Sequence, residues 1–140
     1  MKLLRRSRSP LVDLTRGMSR VLAVLLLSFA VAAHAGDISS AENARIEYLF
    51  ASIASLPGAQ FIRNGTSYNN KAAIDHLRTK LRFAGSHIKT AEDFIDYCAS
   101  KSSISGKPYE IRFSDGSVVP SAAFLRQKLL EFDRQKRQGA

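Results

Sequence analysis

Six residues of this chain have types and spacings suited to chemistry: Arg63, Asn64, His76, Ser103, Ser105 and Tyr109. An imidazole exchanges a proton near neutral pH, and a guanidinium presents paired donors to a carboxylate or phosphate. Exposed backbone N–H groups at the Gly65 and Gly106 turns would serve the same anion. Together the six residues predict a binding surface, on the condition that their two polar loops fold over one end of the domain. The alternative is a small hydrolase with Ser103 or Ser105 as nucleophile and His76 as base. No glycine-flanked nucleophile elbow surrounds any serine, so no residue receives a catalytic role. A third reading makes the same polar groups structural, as caps and loop staples.

His76 lies about 110° around its helix from the centre of the apolar stripe, at the boundary between core and water. Cys98 falls on the apolar stripe of the next helix and reads as a small buried hydrophobe. As the single cysteine it forms no internal disulfide. Beyond the leader described below, only His76, His87 and Cys98 remain as soft or borderline metal ligands, and none has ligand spacing. No metal and no cofactor is expected.

The elements that must position these residues are legible in outline. Ser39 and Glu42 have capping-box spacing, and Ile46, Leu49, Phe50 and Ile53 recur as one apolar stripe that Pro57-Gly58 ends. Asn64-Gly65 is the strongest short hairpin signal, although its short flanks fit a tight loop equally well. A second helix starts at Asn69 or Asn70 and runs to about Ala84. It buries Ala73, Ile74, Leu77, Leu81 and Ala84, with Gly85 as its stop. A third opens at Thr90 with Asp93 in the reciprocal position and buries Ala91, Phe94, Ile95 and Cys98.

The polar stretch 100–108 has no periodicity. Tyr109-Glu110-Ile111-Arg112-Phe113 alternates as a half-buried strand does, and Val118-Val119 returns after a turn at 114–117. Ser121 is placed to cap a last helix carrying Ala122, Leu125, Leu129 and Phe132 on one face, with residues 134–140 frayed. The expectation is a mainly helical α+β fold, about four amphipathic helices with a short β-hairpin before the last.

The N-terminal 35 residues read as a cleavable signal peptide rather than as part of that fold. Six cations precede the apolar run Val21–Ala33, and Ala33-His34-Ala35 supplies the small-x-small site that places the cut before Gly36. The 13-residue run is shorter than the roughly 20 residues that span a bilayer, so no stable membrane anchor is expected after cleavage. Met18, just ahead of the run, offers a second start. The whole chain carries +9, but with six cations and one anion in the leader the remainder carries +4. Such a surface argues against nucleic acid as a partner and leaves room for loose attraction to anionic polymers. The 105 residues from Gly36 onward suit a single domain with one core.

Four segments taken together resemble the YfeK-like family of small exported bacterial proteins. They are Phe61-Ile62-Arg63-Asn64-Gly65, then Ala73 with His76-Leu77 and Lys80, then Lys89-Thr90-Ala91-Glu92-Asp93-Phe94-Ile95, and the stretch from Ser102-Ser103 to Pro108-Tyr109. The resemblance covers Ile46 to Leu130. It implies a periplasmic or secreted location in Gram-negative bacteria and a domain of unknown function, and it assigns no catalytic residue. The expected role is a periplasmic binding module for an envelope protein or an anionic envelope component.

Overall fold

Helix α1 (Ser40–Ala54) begins where Ser39 Oγ accepts the Glu42 N–H at 3.2 Å. The capping box expected there is only half made. The Glu42 carboxylate turns away to accept from Arg45 and, at 2.7 Å, from the N–H of Ala91 at the start of another helix. A carboxylate gains more from a cation and a second helix N-terminus than from one backbone donor. The computed structural model describes residues 37–140; the leader and its cleavage site lie outside the described residues.

After α1 the chain forms β1 (Gln60–Arg63) and β2 (Thr66–Tyr68), joined by Asn64 at φ 52° and Gly65 at φ 82°. Two consecutive positive φ values match the right-handed twist of the flanking strands, so the Asn-Gly pair closes a two-residue hairpin. Helix α2 (Asn70–Ala84) is capped by the Asn69 side chain, which accepts from the Ala72 N–H at 2.9 Å, and it stops at Gly85. A short 3₁₀ turn (Gly85–His87) follows.

Helix α3 (Ala91–Phe94) opens with the full Thr90/Asp93 capping box. Its continuation, Ile95–Ala99, is wound as a π-turn, a feature the apolar spacing did not predict. Strands β3 (Glu110–Arg112) and β4 (Val118–Pro120) form the second hairpin, and α4 (Ser121–Gln138) ends the fold.

The two hairpins build one antiparallel sheet in the order β2-β1-β3-β4. Its register sets Tyr68, Phe61, Ile111 and Val119 in a single row across all four strands. Phe61 and Ile111 are buried and their two neighbours partly so, which makes this row the sheet's core face. The fold is thus mainly helical α+β, with the sheet larger than the one hairpin expected. The helices close the other side of the core. Phe50 of α1 packs on Phe94 of α3 at 5.2 Å, and Tyr48 on Phe132 of α4 at 4.9 Å.

Two expectations for α4 need correction. Ser121 is the first residue inside the helix, with Pro120 at the cap position and no side-chain cap bond. Its backbone N–H already donates to the Tyr109 carbonyl at 2.8 Å, which draws the residue into the packing under the sheet. The C-terminal turn, expected to fray from Arg134, stays helical to Gln138. The Arg134 side chain returns to the Leu130 carbonyl, and Lys136 sits over the Phe132 ring.

Candidate functional site

Arg63 ends β1, His76 lies nearly two turns into α2, and Tyr109 precedes β3, so three separate elements deliver the three side chains that meet. Arg63 Nη1 lies 3.0 Å from His76 Nδ1 and 3.2 Å from Nε2. His76 Nε2 is also 3.1 Å from Tyr109 Oη. A guanidinium only donates, so one nitrogen of the neutral imidazole accepts from Arg63. The Nε2–Tyr109 hydroxyl pair forms a second hydrogen bond, which the phenol can either donate or accept. Arg63 Nη2 donates to Tyr68 Oη at 3.2 Å, and the guanidinium lies 5.1 Å from the centre of that ring. Lys80, one turn beyond His76 on α2, is 5.1 Å from the Tyr109 ring and donates to the Lys101 carbonyl.

Arg63, Tyr68, His76 and Tyr109 line an open groove of about 180 Å³ whose other walls are Phe61, Ile62, Ala72, Ala73, Leu77 and Ser121, with Lys80 outside it. Its electrostatics follow from the contacts. Burial, followed by the charges of Arg63 and Lys80, holds the His76 pKa below its ordinary value. Burial likewise lowers Lys80 and raises the Tyr109 phenol. His76 is therefore neutral beside a full positive charge.

That environment makes stability depend on pH with a definite sign. The unfolded chain takes up the His76 proton near 6.5, and the folded chain only at lower pH. The contribution is fully present above that range and is lost as pH falls below it towards the folded value. His76→Gln should therefore show a flatter melting-temperature profile between pH 7.5 and 5 than the natural chain. Parallel profiles for the two proteins would mean that the imidazole contributes nothing to the slope.

The two polar loops do meet. Ser105 Oγ donates to Asn64 Oδ1 at 2.6 Å, and Asn64 Nδ2 approaches Ser102 Oγ at 3.5 Å. Ser102 is buried and its hydroxyl also accepts from the Ile104 and Ser105 N–H groups. The stretch 100–108, read as a plain polar loop, is closed by a bridge between Lys101 and Pro108. Asn64 and Ser105 thus tie the loops together beside the groove rather than lining it.

Ser103 is not brought to this group. It lines a second depression with Lys80, Phe83, His87 and Tyr97. Among the described residues no serine hydroxyl hydrogen-bonds to His76, so the geometry lends the hydrolase alternative no support. Cys98 is 1% exposed, as its place on the apolar stripe predicts, and burial raises its thiol pKa.

With this geometry in view, comparison with known proteins places the chain. The profile of a family of unknown function, DUF5329, matches residues 40–133. The chain belongs to the DUF5329 family. It is 43% identical over 89 residues to the uncharacterized protein YfeK of Salmonella typhimurium, covering 64% of this chain and 73% of the relative. No solved structure matches it. The span matched by the DUF5329 profile contains Arg63, His76, Tyr109 and every other groove residue.

Three residues at or beside the groove are absent from the expected site: Tyr68 and Ser121 line it, and Lys80 lies beside it against the Tyr109 ring. Lys80 was detectable, because four residues beyond His76 on a helix is the same face. Tyr68 reaches Arg63 only through the β1–β2 register, which sets Phe61 opposite Tyr68. Serine before an apolar stripe usually caps a helix, whereas Ser121 lies inside this one.

Proposed function

We propose that this DUF5329 protein is exported and that its folded part is a binding module whose ligand or partner occupies the Arg63/His76/Tyr109 groove. The observation that carries this reading is the convergence of those side chains from β1, α2 and the approach to β3 on an open, mainly apolar cavity. A few convergent polar groups in an apolar concavity are the usual anatomy of a binding site. The signal-peptide pattern of residues 1–35 supports the periplasm as its location. The partner is then an envelope protein or an anionic envelope component.

The test uses the full chain expressed in a Gram-negative bacterium, with p-benzoylphenylalanine at the groove position Ala72 or at Glu47 on α1. The protein recovered from the periplasm should begin at Gly36. Ultraviolet light should yield a discrete adduct, read by mass spectrometry, from position 72 and not from position 47. Arg63→Ala should abolish it. A chain retained in the cytoplasm with its first 35 residues would overturn the export reading. An adduct indifferent to position and to Arg63→Ala would overturn the groove.

A further inference from the structure

The charge pattern of the groove narrows what enters it. Arg45, Arg78 and Arg126 each pair with carboxylates. Arg63 is half-buried, yet among the described residues it meets only neutral groups, the His76 ring and the Tyr68 hydroxyl. A half-buried guanidinium surrounded by neutral acceptors lacks the counter-charge that such groups normally have.

A second and independent observation concerns Ser121, which also lines the groove. Ser121 is 3% exposed, and its hydroxyl makes no hydrogen bond among the described residues. No fully buried side-chain polar atom in the described structure is unpaired, so the small exposed surface of Ser121 includes this hydroxyl, and Ser121 is one of the residues that line the groove. It is also the first residue of an 18-residue helix whose cap position provides no side-chain acceptor. A free hydroxyl at an uncapped helix N-terminus favours an anion.

Much of the remaining lining is apolar, Phe61, Ile62 and Leu77 among it. We infer that the groove takes a monocarboxylate on a small apolar body, with its carboxylate between Arg63 and Ser121 and its body against Phe61, Ile62 and Leu77. The inference rests on the reading of the groove as a binding site and adds the chemistry of its occupant. One full cation with neutral donors matches a single negative charge held in a fork, as a guanidinium holds a carboxylate. A phosphate dianion would call for a second cation, and Lys80 is turned to the Lys101 carbonyl. The volume of about 180 Å³ is below the roughly 300–1,000 Å³ of sites for drug-sized ligands, so the body is the size of one amino-acid side chain. A free short-chain acid and the C-terminal residue of a protein share this chemistry.

Titration of the purified protein followed by amide NMR tests it. The probes are 4-methylpentanoate, 4-methylpentanamide, inorganic phosphate, and a glycine-rich pentapeptide ending in leucine with a free or amidated C-terminus. A carboxylate probe should shift the Ile62, Arg63, His76 and Ser121 resonances saturably, and its amide should bind at least tenfold more weakly. Stronger binding of the free acid would make the ligand a small molecule, and stronger binding of the peptide would make it a chain end. Arg63→Gln should weaken binding at least tenfold. Ala72→Trp fills the groove without removing a polar group and should do the same if Arg63→Gln disturbs folding. Equal binding of acid and amide, tighter binding of phosphate, or no shift of groove resonances by either carboxylate would overturn the monocarboxylate. The crosslinking result at position 72 is independent of these outcomes, so the binding module stands or falls separately.

Discussion

Phe94→Ala is expected to lower the unfolding free energy by about 3–5 kcal/mol, the range for removing a fully buried aromatic ring. Phe94 is 0% exposed, and its ring lies 5.2 Å from that of Phe50 at 58°, the tilted arrangement aromatic pairs prefer. Three features make collapse into the vacated space difficult. The Thr90/Asp93 capping box fixes the backbone on one side, the π-turn Ile95–Ala99 fixes it on the other, and Ile46, Leu49 and Ile95 of the same core are themselves fully buried. Domains of this size have a total stability of about 5–15 kcal/mol, so the variant should sit near the edge of folding at 37 °C. Urea unfolding followed by circular dichroism measures the loss. A cost under about 1 kcal/mol would show that neighbouring side chains refill the site.

The second large effect is expected at Arg45. Its guanidinium holds Glu42 of its own helix at 2.9 Å, Glu92 of α3 at 2.7 Å and Asp133 of α4 at 2.9 Å. One cation thus ties three helices, and its side chain is only 17% exposed. Arg45→Met keeps much of the apolar stem and removes the charge, leaving three carboxylates facing one another. Because Glu92 is half exposed, solvent offsets part of the penalty, and the expected loss is about 2–3 kcal/mol. Two checks separate repulsion from lost packing. Raising salt to 1 M, where charges are screened within about 3 Å, should shrink the difference from the natural chain. Adding Glu92→Gln and Asp133→Asn to Arg45→Met should recover stability. A loss unchanged by both would assign the effect to packing alone.

Local chemistry was legible where the interaction partners lie within four residues. Thr90 and Asp93 close their capping box as their spacing requires, and the stripe Ile46, Leu49, Phe50, Ile53 is buried throughout. Glu42 shows the limit. Its spacing from Ser39 is right, but Arg45 and the Ala91 N–H, 49 residues away in the latter case, are stronger partners. The Asn64-Gly65 signal left hairpin and loop open, because what settles it is the pairing of β1 with β3. Gln60 meets Arg112 across some fifty residues, and no local pattern encodes that register. The candidate site divides the same way. Arg63, His76 and Tyr109 converge, Asn64 and Ser105 join as loop ties, and Ser103 goes to a different depression. Serine carries no periodic signal that tells one loop face from the other.

The rims of the sheet bear on how molecules of this protein behave towards one another. The strand order leaves β2 and β4 outermost, and each is three residues long. Strand β4 ends in Pro120, which has no N–H to offer, and the chain turns at once into α4. On the other rim, Tyr68 is followed directly by the Asn69 cap of α2. A foreign strand would find too few consecutive backbone groups on either side to add itself stably. The fold thereby resists edge-to-edge aggregation through the brevity of its outer strands, without needing charged gatekeepers along them.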